Sequence, residues 1–533
     1  MPRHPSSAPR YADRVDPVVA TLAILVLAVI AFVSNRMPLG VVAIGVSLAL
    51  FFTGVLTLPE ALAGFGDPTV LFIAGLFVVS EALDATGITA WAGQKVIARA
   101  GTRRRTLILV IGLLVAVVSA LISVNGAVAA LLPLVVVVAA RAGIAPSQLL
   151  LPLAFSASAG SMLLLTGTPV NIIVSEFAAE NGGRPFGYFE FALAGIPLVA
   201  GTVLYLTLFA HRLLPDRTPA EMPLDLARHA RLLRQQYSLS LDTGTLLGPT
   251  NGVTEVVVAP RSPLIGSKIY PGMATPAGDL VVLAARRGDE LLKGDVVVQA
   301  GDSLLMQGRW DDLVRHAGDA GVLAVHSPQQ MRRGVPLGKG ARRALVVVGA
   351  MVVLLATGLV PAAVAALLAA CALVLLGVVS PPQAYRAISW PTIVLIAGMI
   401  PLATAFTKTG AADLVAGVLL GAIGDAGPTV ALLVLCVLTL VLGQLISNSA
   451  TVLILAPIAV SVAATMGVSV QPFLMGLAVV AAAALLTPVA TPANLMVMGP
   501  AGYRFGDYWK LGLPLGIFFL AVAVFYVPLI WPF

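Results

Sequence analysis

Apolar runs of roughly 17 to 25 residues begin near residues 17, 38, 68, 147 and 190, and again near 343, 361, 391, 470 and 510. A helix rising 1.5 Å per residue needs about that length to cross some 30 Å of hydrocarbon, so the pattern predicts ten crossings. Two more apolar stretches, 106–140 and 429–466, are broken midway by polar clusters around Asn125 and Asn448 and read as hairpins that enter and return. From about 216 to 342 the periodicity changes. RTPAEMPLDLARHARLLRQQ reads as helix, and TEVVVAP, DLVVLAARR and DSLLMQG read as strands. The expected division is a tail over 1–16, a membrane unit over 17–215, a small α+β insert over 216–342 and a second membrane unit over 343–533.

Composition sharpens this. The 533 residues are 59% hydrophobic and 11% charged, with a mean hydropathy of +0.98, whereas soluble domains carry about 25% charged residues. The chain therefore reads as an α-helical polytopic membrane protein. The net charge of +7 does not point to nucleic acid, because 17 of the 32 Lys and Arg fall between 212 and 343 and report loop placement instead. Cys371 and Cys436 lie in apolar segments and read as buried, unpaired thiols. The histidines, His4, His211, His229, His316 and His326, all lie in the tail or the insert, which leaves little for a membrane-embedded metal site. No nucleophile, base and orienting group converge in any segment, so neither an enzyme nor an organic cofactor is expected.

Sliding the sequence along itself by 323 positions pairs Gly54 with Gly377, Pro59 with Pro382, Ile73-Ala74-Gly75 with Ile396-Ala397-Gly398, and Asn125 with Asn448. The same shift pairs Thr168-Pro169 with Thr491-Pro492 and Asn171 with Asn494. The matches are mostly Pro, Gly, Asn and Thr, which chance alignment of Leu-rich runs would not select. Each copy holds five crossings, an odd number, so the copies are expected to be inverted in the membrane, each with its own re-entrant hairpin. Charge agrees with inversion. Lys95, Arg99, Arg103, Arg104 and Arg105 follow the third crossing of the first copy, whereas roughly 413–428 in the second has Asp413 and Asp425 and no base. The positive-inside rule then puts the insert in the cytoplasm and both termini outside, in what is expected to be a bacterial inner membrane; the basic tail, with Arg3, Arg10 and Arg14, is the one misfit.

Each copy carries two polar interruptions. The hairpin tips read SVNGA at 123–127 and SNSAT at 447–451; the second breaks read TGTPVN at 166–171 and TPVATPAN at 487–494. Pro169, Pro488 and Pro492 cannot donate backbone hydrogen bonds and Gly167 weakens helix, so these breaks are expected to be unwound at membrane depth. Free carbonyls and hydroxyls there can replace the water shell of a sodium ion, and half-helix N-termini offer amide donors to an anion. None of the four segments holds Arg or Lys, so an anion would be held by hydroxyls, Asn amides, helix termini and co-bound cations. A lone Ser or Thr between membrane helices is usually glue worth about 0.6 kcal/mol. Two paired clusters, each separated by 46 residues from Asn125 to Asn171 and from Asn448 to Asn494, favour a functional reading.

SNSAT, TGTPVN and VATPAN resemble the paired motifs of the divalent anion:sodium symporters of the ion transporter superfamily. The resemblance covers both membrane halves and implies an inverted-repeat fold with scaffold and transport parts, a homodimer, and elevator-like movement of a dicarboxylate, citrate or sulfate with sodium. Carried onto matching positions, it assigns sodium to Ser123, Asn125, Gly167 and Asn171 in the first copy and to Ser447, Asn448, Ala490 and Asn494 in the second. It assigns the anion to Asn125, Gly126, Thr168, Pro169, Asn448, Ser449, Thr491 and Pro492. The first tip departs from the family's Ser-Asn-Thr: Leu121-Ile122-Ser123 matches Leu445-Ile446-Ser447 at an offset of 324, a slip of one residue. Glu81 and Asp84, in the third crossing, are weighed as proton carriers, Glu81 being the candidate; the alternative for Asp84 is a solvated cap at the helix end near Thr86-Gly87.

In the insert, VVVAPRSPLIGSKI and the stretch from Gly278 to Leu313 are similar, over roughly 250–320, to the RCK C-terminal (TrkA-C) regulatory domain, which implies sensing of a small ligand or dimerisation. Arg286, Arg287 and Lys268 read as solvated surface charge. The expected activity is sodium-coupled import of a divalent anion, sulfate ahead of a dicarboxylate. The alternatives are a proton-coupled porter or exchanger using Glu81 and, in another class, a channel or a transport-dead sensor.

Overall fold

The computed structural model describes residues 16–34, 36–97, 101, 103–217, 251–275, 279–288, 290–292, 294–316, 321–325, 340–424 and 427–533. The helix expected just beyond Arg217 lies outside these residues.

The first membrane unit runs through α1 (Pro17–Ser34), α2 (Leu39–Phe52), α3 (Leu58–Leu62), α4 (Pro68–Ala85) and α5 (Ile88–Ile97). It continues through α6 (Arg104–Ile122), α7 (Val124–Ala142), α8 (Leu150–Gly160), α9 (Pro169–Glu180) and α10 (Ala192–Leu213). After the insert, with its short helix α11 (Trp310–His316), come α12 (Ala341–Thr357), α13 (Ala362–Leu375), α14 (Pro381–Ala387), α15 (Trp390–Thr409) and α16 (Ala411–Ile423). The chain ends in α17 (Pro428–Leu442), α18 (Asn448–Met466), α19 (Gln471–Ala481), α20 (Pro492–Ala501) and α21 (Tyr508–Ala521), prolonged by a π-helical turn over Val522–Tyr526.

Among the described residues, seven helices or helical stretches are long and apolar enough to cross a membrane: Pro17–Ser34, Leu58–Ala85, Arg104–Ile122, Ala192–Leu213, Trp390–Thr409, Asn448–Met466 and Phe505–Ile530. Two of these, Arg104–Ile122 and Asn448–Met466, lie in the stretches expected to be re-entrant hairpins and are each long enough to cross on their own. Of the ten expected crossings, the one near 343 is α12 with 17 residues, and four others are shorter or split. α2 and α13 have 14 residues each, about 21 Å of helix. The crossings expected near 147 and 470 are split, into α8 and α9 and into α19 and α20, by the breaks that Pro and Gly impose.

Packing repeats at the offset seen in the sequence. α2 lies against α15, and α13 against α4. Gly398 and Gly75 mark the two crossings: a Cβ on Gly398 would lie 2.7 Å from the Ala43 carbonyl carbon, and one on Gly75 would lie 3.0 Å from that of Ala366. Such close approach of backbones is what small residues permit between membrane helices.

The described residues of the insert form a five-stranded antiparallel sheet in the order β4-β3-β6-β1-β7, with β1 Asn251–Val258, β3 Leu280–Arg287, β4 Glu290–Leu292, β6 Ser303–Arg309 and β7 Val322–Ala324; β2 Lys268–Ile269 and β5 Val296–Val297 pair separately. β1, β3 and β6 fall on the three runs expected to be strands. Arg287 is not simply solvated, because its guanidinium donates to both carboxylate oxygens of buried Asp302 at 2.8 and 2.9 Å. The thiols differ from expectation as well: Cys436 is buried, but Cys371 sits on the exposed face of α13.

The chain leaves α10 for the insert through a clamp. Ser147 Oγ donates to Pro215 O at 2.6 Å and accepts from Arg217 N, Gln148 Nε2 donates to Leu214 O at 2.9 Å, and Arg217 Nη1 reaches Asp507 at 2.7 Å and Gly502 O at 3.0 Å. Residues 214–217 are thus fastened to the start of α8 and to the α20–α21 connection.

Candidate functional site

Four helices begin at the polar interruptions, and each is capped by the hydroxyl the sequence places there. Ser123 Oγ accepts from Gly126 N ahead of α7, Thr168 Oγ1 from Val170 N ahead of α9, Ser447 Oγ from Ala450 N ahead of α18, and Thr491 Oγ1 from Asn494 N ahead of α20. Ser and Thr favour this position because the short side chain satisfies one of the N–H groups that a first helical turn leaves free. The remaining N–H groups and the helix dipoles leave each start electropositive without any cationic side chain.

The break in each unit is held by its asparagine. Asn171 Nδ2 donates to Ser161 O and Leu164 O, both at 2.9 Å; Asn494 Nδ2 donates to Ala484 O at 3.0 Å and Thr487 O at 3.1 Å. All three positions recur at an offset of 323. The amide nitrogen thus satisfies carbonyls freed by unwinding, and the amide oxygen is left over. The Oδ1 atoms of Asn171, Asn494 and Asn448 are buried without a hydrogen-bond partner. Buried oxygens of this kind cost free energy unless something cationic or a donor meets them. Gly167 permits the first break's tight path: a Cβ there would lie 2.1 Å from Ser161 O.

Each break is also tied to its own hairpin and packed on the other unit's. Thr166 Oγ1 donates to Ala120 O at 3.2 Å, while α9 packs on α18; Thr487 Oγ1 donates to Gln444 O at 3.3 Å, while α20 packs on α7. This crosswise arrangement links the two tip-and-break pairs.

The caps settle the slip at the first tip. Ser123 and Ser447 do the same work, so Val124 takes the place of Asn448 and Asn125 that of Ser449. Asn125 is exposed at the second position of α7, Gly126 is half-buried, and the Ser123 backbone has φ 85°. In the second unit Asn448 is half-buried with its Oδ1 enclosed, Ser449 and Ala490 are buried, and Pro492 is exposed. Pro169 and Thr168 are half-buried. A cavity of about 20 Å³, the size of a single water, lies beside the first tip between Phe77, Ser80, Ser123, Thr166 and Pro169. Ser80 of α4 donates to Ile122 O at 2.5 Å.

Glu81 is half-buried on α4, one residue from Ser80. Asp84 is not a solvated cap: it is 8% exposed and accepts from Thr89 Oγ1 at 3.3 Å, joining α4 to α5. Sequence reasoning missed Gln444, whose side chain crosses from the second hairpin to the break, and Tyr188, whose hydroxyl meets Thr166 Oγ1 at 3.2 Å. Gln444 left a signal, a lone amide in an apolar run three residues before the cap. Tyr188 left none, since it lies in a loop.

Long apolar helices and paired helix breaks whose starts carry no basic side chain describe an integral membrane protein, and its family and relatives are transporters, not enzymes. The chain belongs to the citrate transporter family, whose model matches residues 29–479 and 427–533. This family belongs to the ion transporter superfamily and is related to the divalent anion:sodium symporters that the motifs resemble. The chain is 30% identical, across 97% of its length and 99% of the other's, to the uncharacterized transporter YfbS of Escherichia coli strain K12. It is 27% identical to the probable sodium/sulfate cotransporter 3 of Chlamydomonas reinhardtii over 51% of this chain and 31% of that one. The Alcanivorax borkumensis YdaH transporter structure overlays 97% of this chain and 98% of that one with a TM-score of 0.48 at 15% identity.

Proposed function

We propose that the protein imports a divalent anion together with sodium, sulfate being the first candidate and a dicarboxylate such as succinate the second. The observation that carries this reading is the set of buried, unpartnered Oδ1 atoms of Asn448, Asn494 and Asn171 at helix starts that lack any basic side chain. Neutral carbonyl oxygens suit weak, reversible coordination of a hard monovalent cation, and a bound cation beside helix N-termini supplies the positive field that a dianion needs. The sodium/sulfate cotransporter among its relatives supports the same pairing.

In this proposal the two units are inverted repeats and the hairpins and half-helices move as a transport part against a scaffold, elevator-fashion, in a homodimer. The insert faces the cytoplasm as a TrkA-C-like regulatory domain, in keeping with the bases that flank it. The test is uptake of labelled sulfate and labelled succinate into proteoliposomes with and without an inward sodium gradient. Sodium-dependent accumulation of either establishes the symporter and names its substrate. Uptake indifferent to sodium would overturn the coupling and turn attention to protons and Glu81.

A further inference from the structure

Gln444 is 8% exposed, and each polar group of its side chain is engaged. Its Oε1 accepts from Leu486 N at 2.9 Å; its Nε2 donates to Leu440 O at 3.1 Å and to Ala483 O at 3.2 Å. Ala483 and Leu486 belong to the unwound stretch beyond α19, where helix geometry no longer supplies their partners. A side chain rooted in the hairpin therefore gives the break both a donor and an acceptor. Asn494 fastens the same stretch from the other side, at Ala484 O and Thr487 O. In the cap register the first unit has Ala120 here, whose methyl can do none of this. Its nearest polar neighbour on the hairpin, Ser119, donates to Ala157 O within α8 and not to the break.

We propose that Gln444 is the positioning residue of the second ion site, holding tip and break in register so that the Oδ1 atoms of Asn448 and Asn494 face one ion. This rests on the ion-binding reading of those two oxygens. Neutral ligands are individually weak, so affinity depends on their being ordered before the ion arrives; where they are loose, the ion's binding energy is spent on ordering them. Gln444 itself touches neither ion nor anion, and its loss should be felt in sodium affinity more than in anion affinity.

The experiment uses the full-length protein in proteoliposomes. Gln444→Met preserves length and removes hydrogen bonding. It should raise the sodium concentration for half-maximal sulfate uptake at least tenfold, while the sulfate half-saturation at saturating sodium stays within twofold. Thr487→Val, a milder change that removes only the contact to the Gln444 carbonyl, should shift sodium affinity severalfold in the same direction and carries the test should the Met variant fail to fold. Unchanged sodium dependence, or an equal rise for sodium and sulfate, would overturn the proposal. Hydrogen exchange at the Leu486 amide, measured without sodium, should be at least tenfold faster in Gln444→Met. Native protection there would overturn the positioning role whatever ion drives uptake. Faster exchange in a protein whose native uptake ignores sodium would retire the sodium reading alone.

Discussion

Asn448 and Val124 occupy the same place in two otherwise matched helix caps, and this exchange makes the two halves chemically unequal. The second unit offers a tip carbonyl and a break carbonyl, Asn448 Oδ1 and Asn494 Oδ1, both buried and unpartnered; the first offers Asn171 Oδ1 from the break but only an exposed Asn125 from the tip. Asn448→Ala should therefore weaken apparent sodium affinity by about tenfold or more, the equivalent of ~1.4 kcal/mol for a lost ligand, with little change in melting temperature. Asn494→Ala should do both, since it also strips the donor from Ala484 O and Thr487 O, at a cost of about 1–3 kcal/mol in stability. Sodium titration followed by a thermal-stability assay separates the two. The polar interruptions holding Ser123, Thr168, Ser447 and Thr491 were legible as breaks in apolar runs, but the capping done by these hydroxyls was read only from the structure. The division of labour within Asn171 and Asn494 was not legible either. It depends on carbonyls seven and ten residues upstream, which are free only because the helix has unwound.

At the scale of elements, the sequence's offset of 323 reappears as α2 against α15 and α4 against α13, with Gly398 and Gly75 at the crossings. Gly398→Ala drives a methyl into the Ala43 backbone and should destabilise by about 1–3 kcal/mol, whereas Gly349→Ala, with nothing within 4 Å, should be neutral or slightly stabilising. Thermal unfolding of both variants side by side checks this. Polar residues in apolar runs marked where α6 gives way to α7 and α17 to α18, and where the chain leaves helix ahead of α9 and α20. The true lengths of α2 and α13 were not readable, although each starts after a proline, Pro38 or Pro361, and ends just before a left-handed glycine, Gly54 or Gly377, that stops the helix. In the insert, the Arg287 guanidinium, and after it the Gln299 N–H, hold the Asp302 carboxyl below the usual range. A lowered carboxylate stabilises the fold above its unfolded value near pH 4, and the contribution is lost as pH falls through the lowered value. Hydrogen exchange of β3 and β6 should accordingly quicken below about pH 4 in the native protein and be fast already at pH 7 in Asp302→Ala.

For the whole molecule, the clamp at residues 214–217 joins the insert to both membrane units at once, through Ser147 of the first and Asp507 of the second. Arg217→Ala should loosen this junction, read as faster proteolysis or exchange around 214–217, while sodium affinity holds within about twofold. No sequence pattern announced the clamp, since Arg217, Ser147 and Asp507 lie 70 and 290 residues apart and meet only once the helices are packed. The central claim is that buried neutral oxygens at the second tip and break couple sodium to anion entry. It is tested most directly by loading native and Asn448→Ala proteins into proteoliposomes, following labelled sulfate and succinate under an inward sodium gradient, and then collapsing that gradient with an ionophore. Native protein is expected to concentrate one of the anions and release it on collapse, and the variant, at a sodium concentration that half-saturates native protein, to accumulate far less of it. Accumulation by the variant equal to native, or native accumulation that survives the loss of the gradient, would contradict the claim.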